Sequence, residues 1–293
     1  MKLYKTTITP TSNFATPLQG DTMFGQICWT IRLKYSEDRL NELLKDYEKE
    51  PFLVVSDGFA NGFLPKPTMP SFLLGEDNNK KKENRKRVWL SFNDLIDAKF
   101  TDAKIDKEAN NNDKNINLVR NSINYKTFTT NEKSFAPYGV DEFCLSKKDI
   151  YFLLNDNFEL KELRESLLLL SQMGYGKDTT VGKGRFELSE IEQIEIDTTS
   201  NAFMTLSPAN LYNIEAKELF YEPFTKFGKH GQLFANTNPF KKPLLLAKSG
   251  AVVIYDKPRT LEFIGSAIKG HSYHKNSVHQ GYSISLPIRG LKL

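Results

Sequence analysis

The sequence predicts an α+β protein in two parts, and three observations carry that prediction. Helical and strand-like periodicities alternate as far as Asp197, strand signals dominate from Thr198 onward, and charge is split between the two regions. From Lys226 to Leu293 eleven Lys/Arg stand against Asp256 and Glu262, a net of +9, whereas Met1 to Thr225 carries a net of −5. A basic carboxyl-terminal face suits an anionic partner. With 293 residues, 39% hydrophobic content, 21 Phe and 12 Tyr, the chain has enough apolar material for a sizeable core, which excludes a disordered polymer. No stretch approaches the ~18 apolar residues of a membrane span, and MKLYKTTITP carries no apolar leader, so the chain is expected in the cytoplasm with no membrane partner. Cys28 and Cys144 lie far apart and outside any CxxC pattern, which argues against a disulfide framework or a thiolate metal site.

Lys2 to Ile8 reads as a strand, followed by a loop through Pro10 and Pro17. Phe24, Ile27, Cys28 and Ile31 stand at i, i+3, i+4 and i+7, one apolar stripe of a helix. Asp21 or Thr22, directly after Gly20, is its expected N-cap, and the same turn offers N–H donors to an anion, with which the Asp21 carboxylate competes. A second helix is expected from Glu37 to Lys49, with Leu40, Leu43, Leu44 and Tyr47 on one face and Pro51 as its stop.

Two polar stretches, 75–87 and 101–117, offer few apolar residues and read as mobile inserted loops; Lys80 to Arg87 adds six basic residues. The polar-aromatic runs on either side of Thr129 to Lys133, within 118–146, predict a protruding hairpin. Phe158 to Gln172 predicts a helix along Leu160, Leu163, Leu167 and Leu170, with Gly174 at its C-cap. Phe186 to Ile196 reads as a strand whose alternation slips near Ile191, which implies a bulge. The order up to Asp197 is a ferredoxin-like β-α-β-β-α-β plan with large inserts. From 198 to 293 the candidate strands are Met204 to Leu206, Leu219 to Phe227, Pro243 to Leu246, Ala251 to Tyr255 and Ile284 to Ile288, with one helix around Thr260 to Lys269.

The run Gly174 to Phe186 carries the chemistry. Its four glycines, Gly174, Gly176, Gly182 and Gly184, allow backbone N–H groups to turn toward an anion-sized concavity. Lys177, Lys183 and Arg185 add positive charge, and Thr179 and Thr180 add hydroxyls, a set able to cradle a phosphodiester backbone. A nucleotide P-loop is excluded because five residues separate Gly176 from Gly182 and Gly184 replaces the hydroxyl that would hold magnesium. A dinucleotide fingerprint is excluded because the loop precedes a strand rather than opening a helix.

Gly174 to Phe186, following a leucine-rich helix, resembles the glycine-rich loop of the repeat-associated (RAMP) proteins of CRISPR systems. The resemblance extends to Pro17–Gly25, Val55–Phe59, Phe63–Pro67, Arg120–Asn124 and the end from Gly265 to Ile288, with its His279-Gln280-Gly281-Tyr282 segment. Within that superfamily these segments are similar to the subunit of the type III-A Csm effector complex that holds the 5′ handle of the guide RNA. The resemblance implies two ferredoxin-like (RRM-like) domains, 1–197 and 198–293. It also implies binding of the crRNA 5′ handle, contacts with the large polymerase-like subunit and with the backbone RAMP subunits, and no catalytic residue and no cofactor. The hairpin would be a thumb wedged between handle and guide. The RNA-binding positions so implied are Gly20, Asp21 and Thr22; Arg120, Asn121, Asn124, Tyr125, Lys126, Phe135 and Tyr138; the four loop glycines with Lys177, Thr179, Thr180, Lys183 and Arg185; and His274 with Lys275.

The rival reading is an enzyme. Metal-independent RNA cleavage needs a general acid and base near neutral pH, and His230, His271, His274 and His279 are the candidates, as in a RAMP endoribonuclease that processes precursor crRNA. His271-x2-His274 is a possible metal pair, but no third ligand follows closely, so no metal is expected. Asp178 alone makes no two-metal nuclease site. A third reading is a pure scaffold whose aromatic surface docks neighbouring subunits.

Overall fold

The computed structural model describes residues 1–110, 112–130, 135–231, 234 and 238–291. The elements run β1 (Lys2–Pro10), α1 (Gly20–Lys34), α2 (Glu37–Leu44), β2 (Leu53–Val55), β3 (Phe59–Ala60), β4 (Phe63–Pro65), α3 (Lys81–Asn84), β5 (Arg87–Ser91), α4 (Phe92–Ile96), β6 (Lys104–Ile105), α5 (Asp106–Ala109), β7 (Lys114–Arg120), β8 (Tyr138–Cys144), β9 (Lys148–Leu154) and α6 (Leu160–Met173). There follow β10 (Phe186–Leu188), β11 (Glu192–Ile194), β12 (Thr199–Thr205), β13 (Glu218–Phe220), β14 (Pro223–Lys226), β15 (Leu244–Ala247), β16 (Val252–Thr260), β17 (Phe263–Gly265) and β18 (Tyr282–Ile288).

The first sheet is antiparallel in the order β10-β1-β9-β2, with β11 continuing the pairing to β1 past the predicted slip at Ile191 and β3 pairing with β9. Its centre is β9, whose Ile150 to Leu154 are all buried, as a strand covered on both faces requires. α1 packs beside α6 and β2 and turns Phe24, Ile27 and Ile31 into the core. The second sheet has the order β13-β16-β12-β18-β17. One of its faces, through Met204, Ile254, Leu286 and Ile288, joins the same apolar cluster as the first sheet; the other closes over Phe203, Val253, Tyr255 and Ile264. Gln280 ties the halves together: its Oε1 accepts the Val55 N–H at 2.9 Å and its Nε2 donates to the Val55 carbonyl at 2.8 Å, so one side chain stands in for a strand partner at the edge of β2.

Several sequence expectations are corrected. The N-cap of α1 is Gln19, because Asp21 and Thr22 already lie inside the helix. The second helix ends at Leu44 and continues as turns that still bury Tyr47. Thr260 to Lys269 is no helix: β16 runs to Thr260 and β17 follows, since a Cβ at Gly265 (φ +105°) would lie 2.3 Å from the Gly281 carbonyl oxygen, a backbone approach that fits paired strands. The two polar stretches fold into short elements held by polar bonds rather than apolar packing. Lys66 Nζ donates to Glu76 at 2.7 Å and to the Asn84 carbonyl at 2.9 Å, and buried Lys148 bonds Asn110 and Asp113. The hairpin pairing begins earlier than predicted, at Lys114, and pairs Lys114 with Cys144 through to Arg120 with Tyr138; Asn131, Glu132 and Lys133 of its expected connection lie outside the described residues.

Candidate nucleic-acid interface

The glycine-rich loop leaves α6 at Gly174 and returns to β10. Gly174, Gly176, Gly182 and Gly184 all have positive φ, and Asp178 joins them at +63°. At Gly184 this is obligatory, because an added Cβ would sit 2.1 Å from the Tyr175 carbonyl oxygen. The folded-back backbone uses most of its own donors. Tyr175 N–H bonds the Gly184 carbonyl and Gly184 N–H the Asn13 carbonyl; Gly176, Lys177 and Arg185 N–H donate to the side chains of Gln26, Thr16 and Ser12 at 3.2, 3.0 and 2.9 Å. Ser12, Asn13, Thr16 and Gln26, with the loop's own Gly184 carbonyl, therefore take most of the donors that the sequence reading turns outward. Three successive N–H groups, those of Asp178, Thr179 and Thr180, keep no partner among the described residues, and they open a short 3-10 turn at the loop's tip.

Its cations divide in two. Lys177 and Arg185 are exposed and have no ion-pair partner among the described residues. Lys183 is bound to Glu142, a fully buried carboxylate of β8 that also accepts Arg120 Nη2 at 2.6 Å and Asn13 Nδ2 at 3.0 Å. Burial pushes the Glu142 carboxyl up, but the bonds from Lys183, Asn13 and Arg120 outweigh it and hold the group below the usual range. Arg120 lies 3.5 Å from Asp178, so this cluster fastens the base of the β7–β8 ribbon to the glycine-rich loop. Glu142 was missed by sequence reasoning; its signal is a lone acid at an inward register position of a strand.

Along the ribbon and the chain that follows β7, Tyr125 is 86% exposed and Tyr138 50%, with Phe135 half-buried. Asn124 closes a turn there, its side chain accepting the Lys126 N–H at 3.0 Å, beside exposed Asn121. At the amino end of α1 the predicted anion site is already filled by the protein. The Gly20 N–H donates to Asp57 at 2.8 Å, and Lys226 Nζ donates to Gln19, Asp21 and Thr22 at 2.7, 2.8 and 2.7 Å. Removal from water raises Asp57 to about 7, and Asp21 opposes its ionisation further. His279 Nε2 stands 3.3 Å from Asp21, out of line for a hydrogen bond, and burial lowers His279 to about 4. His271 is buried beside it, whereas His274 and Lys275 line a groove on another face of α1 from Gln26 and the loop. Among the described residues no three His, Cys, Asp or Glu side chains group as a metal site.

A family model described as the RAMP superfamily matches residues 10–187, from the end of β1 through the glycine-rich loop to β10. The chain belongs to the RAMP superfamily. This RAMP protein is similar in fold to a chain in the crystal structure of a Csm1–Csm4 cassette in complex with AMPPNP, with a TM-score of 0.63, 16% identity and 98% of each chain covered. It is likewise similar to a chain of a Csm3–Csm4 subcomplex of the type III-A CRISPR-Cas interference complex, with a TM-score of 0.61, 18% identity, and 98% of this chain and 99% of that one covered. No curated protein matches the sequence. Among the described residues no helix is long and apolar enough to cross a membrane.

Proposed function

We propose that this RAMP protein is a non-catalytic RNA-binding subunit of a type III-A CRISPR ribonucleoprotein effector. It holds the 5′ handle of the crRNA and joins the large polymerase-like subunit to the backbone RAMP subunits. The observation that carries the RNA reading is the loop's tip: exposed Lys177 and Arg185 have no ion-pair partner and three successive N–H groups have no hydrogen-bond partner among the described residues, while the ribbon tied to the loop through Arg120 carries exposed tyrosines. Lys177 and Arg185 neutralise phosphates, the N–H groups set register, and Tyr125 and Tyr138 offer stacking faces to unpaired bases. Lys183 and Arg120 act one step back, through Glu142, by fixing ribbon to loop.

The subunit assignment is supported by the two similar structures, whose shared component is Csm4 and whose other component differs, Csm1 or Csm3. The strand order β10-β1-β9-β2 with α1 and α6 supports a ferredoxin-like plan for 1–197, with the β7–β8 ribbon as its thumb. For 198–293 that plan rests on the resemblance, because no α-helix follows α6 among the described residues. Binding is favoured over cleavage because His271 and His279 are buried against Lys241 and Asp21, and burial lowers both to about 4.

The test is a salt titration of repeat-derived RNA binding, with chelator present. Lys177→Ala with Arg185→Ala is expected to lower the log-log slope by about 1.4, since each phosphate contact to a single strand contributes about 0.7. An unchanged slope overturns the loop assignment, and shortened RNA from the chain alone replaces the binding reading with the endoribonuclease.

A further inference from the structure

A groove of about 330 Å³ lies between α1, α2 and the carboxyl-terminal loops, and no residue of the glycine-rich loop or the ribbon lines it. Its wall is aromatic and apolar, with Phe24, Trp29 and Leu40 prominent, and its cations outnumber its acids: Arg32, Lys241 and Lys275 against Glu37 alone. Arg32 already holds that acid at 2.6 Å. Lys241 and Lys275 have no ion-pair partner among the described residues, and burial lowers the Lys241 ammonium from its ordinary range. The Arg32 guanidinium sits 5.3 Å from the Trp29 ring centroid, the Phe234 ring meets Trp29 edge-on at 5.3 Å and stacks on His274 at 3.8 Å, and the buried Nε2 of His274 has no hydrogen-bond partner among the described residues. A desolvated cation with no ion pair among the described residues, only partly offset by the field of Asp21, and an orphaned imidazole nitrogen both carry a cost that an anionic, hydrogen-bonding ligand removes. The volume is at the small end of ligand pockets, room for one nucleotide rather than for a strand.

We propose that this groove binds a single phosphorylated nucleoside, with the base against Trp29 and the phosphate at Lys241 and Lys275. A free mononucleotide and the phosphorylated end of an RNA present the same chemistry. The site does not depend on the RNA-loop reading, since neither Lys177 nor Arg185 lines it.

The chain has two tryptophans, and Trp89 is engaged elsewhere by Asp106 at 2.8 Å, so a Trp89→Phe chain reports on Trp29 alone. That chain is titrated with adenosine 5′-monophosphate, adenosine, inorganic phosphate, and a short RNA with a 5′-phosphate or a 5′-hydroxyl. A saturable fluorescence change is expected with the phosphorylated nucleoside or the 5′-phosphorylated RNA, and at least about tenfold weaker binding of adenosine and of inorganic phosphate. A response to the RNA end alone identifies that source; a response to the free mononucleotide identifies a small-molecule site. Lys241→Met and, on the exposed rim, Lys275→Glu should each weaken binding about tenfold. Lys177→Ala with Arg185→Ala should leave the adenosine 5′-monophosphate titration unchanged while altering RNA binding, which separates this site from the RNA face. No response to either phosphorylated probe, or equal affinity in the Lys241→Met and Lys275→Glu chains, overturns the proposal.

Discussion

Gly182 and Gly184 have the same backbone handedness and opposite surroundings, so they separate fold from function. A Cβ at Gly184 meets the Tyr175 backbone, whereas one at Gly182 meets nothing within 4 Å. Gly184→Ala should therefore disrupt the loop and lower the unfolding midpoint. Gly182→Ala should cost only the ~1 kcal/mol of a left-handed residue while weakening RNA, because the new methyl group faces the open side. Parallel thermal melts and RNA titrations check both. Glu142 gives a pH signature. Its folded pKa is depressed, so its contribution is present above the unfolded carboxyl range, about 4.3, and is lost as pH falls through the folded value. Acid titration of stability should show that loss, and Glu142→Gln should blunt it.

At the scale of elements, the β7–β8 ribbon has a fixed base and an exposed outer part. Its base is held by the Glu142 cluster and by the reciprocal backbone bonds between Phe14 and Phe143, at 2.9 and 2.7 Å, whereas Val119, Ile123, Tyr125 and Phe128 are all exposed. Exposed aromatic groups contribute little to folding and much to a partner that stacks on them. Tyr125→Ser with Tyr138→Ser should leave stability within about 0.5 kcal/mol. The same pair should cost RNA binding about 1–3 kcal/mol for each stacked base lost. Urea melts and RNA titrations of one preparation read both quantities, and equal RNA affinity would remove the ribbon from the RNA path.

Across the whole molecule, the two halves are joined by buried polar groups as well as by a common apolar cluster. Gln280→Leu would strand the N–H and the carbonyl of Val55, and should cost about 2–4 kcal/mol in a denaturant melt. Asp57 makes stability depend on pH in the opposite sense to Glu142. Because Asp57 is raised to about 7, its protonated form favours the fold at low pH, and that contribution is lost as pH rises from about 4 through about 7. Asp57→Asn should remove that loss and leave the opposing contribution of His279, whose neutral form favours the fold as pH rises above about 4, in a denaturant melt across pH.

The sequence by itself determined β1, the helices α1 and α6, the α6 stop at Gly174, the strand slip near Ile191 and the RAMP resemblance, but it named neither β2 nor β9. Each is written in local periodicity, in residues of special backbone freedom, or in a run of consecutive motif residues. It misread Thr260 to Lys269, where pairing with β18 overrides an apolar spacing that also fits a helix, and the polar inserts, whose order comes from hydrogen bonds between residues distant in the chain. Only the tertiary structure decided which cations of the glycine-rich loop are available. Lys177, Lys183 and Arg185 are equivalent as letters, yet a buried glutamate from another strand claims Lys183 and leaves the other two to solvent. It likewise showed that Asp57 and Lys226 occupy the start of α1, and that Trp29, Lys241 and Lys275 share one groove. Ion pairing and desolvation depend on distances through space, which a linear pattern does not carry.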